Sequence, residues 1–333
     1  MMVMKTIRTD LCVQTGGIVC LFLAGLYSVA YAEGAYPQRP IRVLVGFPPG
    51  SGTDMVARMM GQKLSPILGQ TWVVDNRPGA NGVIAAQIVA RSVADGHTLL
   101  ALSVSHTMNA AVYPLSFDPV QSFSPLMQVA VAPLLLVANP GLAAKGVAAL
   151  IEEAQARPQT IRYAISGLGG INHFAGALFS HMAKLQLVDV PYKGGAQALN
   201  DLISGQVQIM FATSAIGLTP VRSGRLKVLA VTTLKRSAWL PNIPTINESG
   251  VPGYEMSTWW GFVAPHGLNN KTIDFLNQRF DDVLKQPDVL SHWQSEAASP
   301  SAIKAQAFEA LLHSEVSKWM GIARQAQIKG PTE

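Results

Sequence analysis

The chain has 333 residues, room for two domains of ordinary size, and its 49% hydrophobic and 14% charged content excludes an intrinsically disordered chain. The formal charge of +5 is scattered, with no Lys/Arg-rich run of the kind that tracks nucleic acid. The mild positive field suits a small anionic ligand, or solubility alone.

The first segment reads as an export signal. Lys5 and Arg8 precede an apolar run over residues 16–30 (GGIVCLFLAGLYSVA), which is shorter than the roughly 20 residues a membrane span needs. Ala30-Tyr31-Ala32 gives a small-x-small cleavage pattern, so a signal peptide over 1–32 is expected, with the mature chain starting at Glu33 outside the cytoplasm. Both cysteines, Cys12 and Cys20, fall within it. The exported part is therefore expected to lack disulfides and thiolate metal sites. No His-Glu-x-x-His or close His/carboxylate cluster suggests a metal elsewhere, and neither metal nor cofactor is expected.

Beyond residue 36, strand-like and helix-like segments alternate. Residues 41–47 (IRVLVGF) predict a strand buried on both faces, 48–54 (PPGSGTD) a sharp turn, and Val56, Met60, Leu64 and Leu68 a helix. A strand over 71–75, a turn over 77–82 (RPGANG), a helix over 83–92 and a strand over 97–104 complete a βαβαβ unit with a parallel sheet. The alternation restarts with a strand at 134–138, a helix at 147–157, a strand at 161–165, a Gly-rich turn at 166–172 (SGLGGIN) and a helix at 173–183. Segments 188–192, 196–204, 207–212, 220–225 and 228–232 continue it. After an irregular Pro/Gly-rich stretch at 240–254, one more strand is predicted at 259–264 (WWGFVA), then helices at 270–285 and 302–325. The two last helices have no sheet of their own and are expected to pack back on the first domain. The chain would then cross between domains twice, near 129–133 and 257–261.

Function is expected at the strand-to-helix turns. Gly50 and Gly52 keep side chains away from the free N–H groups of the following helix, and Ser51 or Thr53 can cap it. Ser166, Gly167, Gly169 and Gly170 form a second such turn. A helix N-terminus offers unpaired donors and about half a positive charge, and in open α/β sheets ligands lie at the carboxyl ends of the strands. Either turn alone is equally well a tight connection. Lys193 and Gly194 in a third turn (YKGGAQ), Ser105 and His106 in 103–109 (SVSHTMN), and Thr213 with Ser214 after another strand are candidates for the same cleft edge. The first turn lacks the Lys and Ser/Thr of a phosphate-binding P-loop, and Ser51 is not framed as a nucleophile elbow.

Six stretches, among them YPQRPIRVLVGFPPGSGTDMVAR, VVDNRPGANGVIAAQIVARSVADGHTLL, RYAISGLGGINHFAGALF, VPYKGGAQALNDLISGQVQIMF and WWGFVAPHG, resemble the substrate-binding receptors of tripartite tricarboxylate transporters, the Bug-type receptors. The resemblance implies a type II periplasmic-binding-protein fold, an α/β architecture of two domains with a central cleft and two crossovers. Domain 1 would be residues 36–130 and 259–333, and domain 2 residues 131–258. It implies a monomeric, non-enzymatic receptor in the periplasm that passes a small carboxylate to membrane permease subunits and does not bind nucleic acid. In the family the carboxylate is held largely by backbone groups and water at the two Gly-rich turns, which carries onto Gly50, Ser51, Gly52, Thr53 and Asp54 and onto Ser166, Gly167, Gly169 and Gly170. Phe47 and Trp260 would line the pocket or belong to the core. The chain departs from the family pattern at Ser51, at Gly170-Ile171-Asn172 and at Gln208. A sensing subunit for a membrane kinase is the alternative role, and an exported α/β hydrolase a more distant one.

Overall fold

A 16-residue strand, β4 (Phe123–Ala138), runs through the middle of the molecule and belongs to two sheets. The computed structural model describes residues 36–330; the expected signal peptide and its cleavage site lie outside them. The elements along the chain are β1 (Ile41–Val45), α1 (Gly52–Leu68), β2 (Trp72–Asn76), α2 (Val83–Ala90), β3 (Thr98–Ser103), α3 (Ser105–Val112) and β4. They continue with α4 (Val147–Ala156), β5 (Arg162–Ile165), α5 (Ile171–Met182), β6 (Val188–Pro191), α6 (Gly195–Ser204), β7 (Ile209–Thr213), α7 (Ser214–Arg222) and β8 (Lys227–Val231). β9 (Ser257–Pro265), α8 (Asn270–Leu284), α9 (Pro287–Ser295), β10 (Ser299–Lys304) and α10 (Ala305–Gln325) complete the order.

The first sheet runs β2-β1-β3-β9-β4-β10, and the second β8-β4-β7-β5-β6. β1 is parallel to β2 and β3, and β5 to β6 and β7, as expected where helices cover both sheet faces. β9 is antiparallel to both β3 and β4. β4 pairs with β9 up to Pro133 and with β7 from Leu134 onward, so it changes sheets between those two residues. The chain returns at β9, whose first residue, Ser257, faces Pro133. A buried hydroxyl ties the two crossings together: Leu134 N donates to Thr232 Oγ1 (2.8 Å), and Thr232 Oγ1 donates to Met256 O (2.7 Å).

Four expectations need correction. The strand at 134–138 is only the last third of β4. Pro125 and Pro133 lack N–H groups and read as breaks, but one sits at a register shift and the other where β4 changes sheets, positions that tolerate Pro. Residues 105–112, which no predicted element covers, form the helix α3 directly after β3. The segment 214–222 is helical although only 220–225 stood out. The last helix begins at Ala305, because SPSAIK pairs with β4 as the edge strand β10.

The core follows the sheets. One cluster, including Val43, Met60, Trp72, Phe262 and Trp293, lies under the first sheet. Another, including Leu135, Leu202, Met210 and Leu218, lies under the second. A third is continuous between them, from Leu44 and Met108 through Leu134 to Phe174 and Phe211. α10 joins this span: Trp319 sits edge-on to Phe174 of α5 at 5.7 Å, and its indole N–H donates to Glu315 (2.8 Å).

Candidate functional site

A cavity of about 920 Å³ lies between the two sheets, where five helices begin: α1 and α3 on one side, α5, α6 and α7 on the other. The first wall starts at β1, whose buried apolar run delivers the chain to Gly46. Gly46 passes so close to Gly82 that a methyl there would lie 2.4 Å from the Gly82 α-carbon. The chain turns through Phe47 to Ser51, with Gly50 at φ +81°, a conformation that favours glycine. Ser51 is the N-cap of α1 and accepts from Asp54 N at 3.3 Å. Gly52 and Thr53, in the first helical turn, have no intrahelical acceptor for their N–H groups. Gly52 rests against the Trp260 indole, 3.1 Å from where a methyl would be, so even alanine would press on the ring and a branched side chain would have to displace it. Phe47, Gly50, Ser51, Gly52 and Thr53 all line the cavity.

Asp54 does not. Its carboxylate is 2% exposed and braces the turn from behind, accepting from Gly50 N (2.9 Å), Arg58 Nε (3.0 Å) and Asn76 Nδ2 (2.8 Å). Three residues past the N-cap, it reaches back to a turn amide and forward to the Arg one helical turn on. Burial works to raise its pKa, but the bonds from Arg58, Gly50 and Asn76 outweigh burial and hold it below the usual carboxylate range. Its place in the expected ligand set is therefore corrected to a supporting one.

On the second wall, β5 leads into Ser166–Gly170. Ser166 Oγ donates to Asn172 Oδ1 (2.6 Å), and the Asn172 amide donates to Phe211 O, which fixes this turn to β7. Ser166, Gly167 and Gly170 line the cavity. Gly169 does not: its N–H donates to His173 Nδ1 (3.1 Å), and its α-carbon is seated on Val112 of α3, where a methyl would come within 2.7 Å. The Gly-rich pattern marked the turn without showing which glycine faces outward.

Lys193 and Gly194 precede α6, Thr213 is the N-cap of α7, and all three line the cavity. No side-chain cap bond engages the Thr213 hydroxyl, which leaves it available to a ligand. Ser105, at the start of α3, also lines the cavity. His106, its neighbour, is corrected to a core residue: it is 7% exposed, its Nε2 pairs with Pro119 O (2.7 Å), and its ring packs between Phe117 and Phe123. Burial pushes its pKa down and keeps the ring neutral.

Trp260, Asn81, Tyr113, Asn172, Tyr192 and Thr258 also line the cavity. Of these, sequence reasoning points to Trp260 alone as a pocket residue. Asn81 and Thr258 carry no local signal, because a turn Asn and a strand Thr are ordinary in their elements. Lys193 is the only charged residue among the described residues of the cavity wall. With five helix N-termini and no carboxylate facing inward, the wall is electrostatically suited to an anion.

A family model described as "Tripartite tricarboxylate transporter family receptor" matches residues 56–328. The chain belongs to this family. BugT of Bordetella pertussis is 33% identical over 317 residues, covering 94% of this chain and 97% of BugT. Among solved structures, R. palustris Rpa4515 with adipate superimposes with a TM-score of 0.83 at 34% identity, covering 89% of this receptor and all of that chain. The periplasmic binding protein BugD gives 0.80 at 31% identity, with 89% and 100% covered. The receptor thus has the two-domain periplasmic-binding-protein fold, and the expected family and fold class stand.

Proposed function

We propose that this receptor captures a small carboxylate in the cavity between its two sheets, performs no chemistry on it, and delivers it in the periplasm to membrane permease subunits of a tripartite tricarboxylate transporter. The observation that carries the reading is the cavity wall: five helix N-termini, hydroxyls of Ser51, Thr53, Ser105, Ser166 and Thr213, one Lys and no acid. Backbone N–H groups at helix ends hold carboxylate oxygens without the desolvation cost of burying a full ion pair. The aromatic faces of Phe47 and Trp260 supply apolar contact for the ligand's carbon frame. A relative solved with adipate agrees with a carboxylate as ligand. We further take the two domains to divide at Pro133/Leu134 in β4 and at Met256/Ser257 before β9, within about three residues of the divisions expected from sequence at both crossings.

The test is a thermal-shift screen of the mature protein with adipate, citrate, benzoate and uncharged glucose. A ligand that binds the native state alone raises the melting temperature as its concentration passes Kd. At least one carboxylate is expected to give a saturable rise, followed up by calorimetric titration. A rise with glucose and with none of the acids would refute the carboxylate reading.

A further inference from the structure

The second-wall turn is held by both halves of the molecule. Asn81, in the turn before α2, donates from Nδ2 to Gly169 O (3.2 Å), 88 positions along the chain and in the other half. The same Nδ2 donates to Asn109 Oδ1 of α3 (2.8 Å), and Asn109 Nδ2 returns a bond to Asn81 O (3.1 Å). The reciprocal pair fixes the Asn81 amide, so its second N–H is aimed at Gly169 by contacts within the protein. Asn81 has φ +53° and ψ +32°, a left-handed conformation that Asn adopts more readily than other side chains. Gly169 is equally constrained: its N–H is engaged by His173, its φ is +70°, and it is seated against Val112 and Tyr113 of the first half. Another side-chain bond between the halves, Arg222 to Ser295 O (3.3 Å), is exposed and joins nothing at the cavity.

We propose that Asn81 is a positioning residue, a clasp that ties the Ser166–Gly170 turn to the first domain and sets the angle between the domains in the ligand-free receptor. Ser166, Gly167 and Gly170 face the cavity while Gly169, between them, is clasped from the other domain. Domain angle and placement of the turn are therefore one variable. A receptor held near the binding angle loses less affinity to the cost of closing, since apparent affinity scales with the fraction of molecules already competent. The inference concerns the empty protein and does not depend on which ligand is bound.

The decisive variant is Asn81→Asp, which keeps size and shape but turns a donor into an acceptor facing two oxygens. Asn81→Gly removes the amide while easing the left-handed backbone, and keeps the test available if the Asp variant does not fold. Small-angle scattering of the ligand-free proteins should show a larger radius of gyration in both variants than in the wild type. Hydrogen exchange over residues 166–173 should also be faster in both. A radius unchanged in the folded variants would overturn the clasp, whatever the exchange rates. Because no ligand is added, this failure is separate from a failure of carboxylate binding.

Discussion

Gly52 and Lys193 make opposite statements about how an anion would be held. Gly52 lies between the first-turn amides of α1 and the Trp260 ring, with no space for a branched side chain. Gly52→Val must displace Trp260 or the turn, at a cost of about 1–3 kcal/mol, and the same methyls screen the donors. Lys193 is exposed at the rim, and an exposed ammonium contributes about 1 kcal/mol or less to an ion pair. For whichever carboxylate binds, Gly52→Val is expected to weaken affinity more than Lys193→Ala. Calorimetric titration of both folded variants gives the order, and a reversed order would mean that a side-chain ion pair carries recognition. Asp54→Ala tests the support behind the turn. It removes the acceptor of the Gly50 N–H and one of the two acceptors of the Asn76 amide, which keeps Phe47 O, together with the Arg58 pair, and a loss of about 1 kcal/mol is expected for hydrogen bonds that are only partly buried. Asp54→Asn, which retains an acceptor, should cost less. Urea denaturation of the two variants decides this.

At the scale of elements, the crossing is built from β4, the residue after β8 and the start of β9, with the Thr232 hydroxyl at their centre. Thr232 is fully buried and serves Leu134 N and Met256 O, one on each crossing. Thr232→Val is close in shape but removes both bonds, and about 1–3 kcal/mol of stability should be lost in urea denaturation. Thr232→Ser keeps the hydroxyl and should lose less. α10 spans the two halves from behind through Trp319, Phe308 and Leu312, all in the core cluster that runs between the sheets. This packing explains why its apolar positions do not face a sheet of their own. The sequence expectation that it packs back on the first half accounts for its contacts with α3, β4 and β10, but not for its contact with α5 of the other half.

For the whole molecule, two buried histidines set how stability follows pH. His106 and His173 both have pKa values pushed below 6.5, chiefly by burial, and His173 must keep Nδ1 unprotonated to accept from Gly169. The nearby charges, Asp118 for His106 and Asp189 for His173, oppose the shift without reversing it. The unfolded chain therefore takes up protons first as pH falls below about 6.5. The stability these neutral rings contribute is complete above that value and declines through the window down to their folded pKa values. Asp54 has the same sign lower down: its contribution is complete above about 3.8 and is lost as pH falls further. Melting temperature measured from pH 8 to pH 4 should fall mainly below pH 6.5, and His106→Phe should flatten the upper part of that fall. A melting temperature constant across the window would contradict the assignment.

Local sequence alone determined much of this. The apolar run of β1, the helical spacing of Val56, Met60, Leu64 and Leu68, and the glycines that mark the two turns are short-range signals, and the strand, the helix and both turns appear where expected because periodicity and turn conformation are decided within a few residues. The long matching stretches likewise identified the family. Tertiary structure decided the rest. Only the pairing of β10 and β9 with β4 makes a strand of SPSAIK and one continuous strand through Pro125 and Pro133, because ladder bonds between residues more than 100 positions apart override weak local preference. Only packing could turn Asp54, His106 and Gly169 away from the cavity and bring Asn81 to it. A residue's type fixes which bonds it can make, but the neighbours that compete for them come from distant parts of the chain.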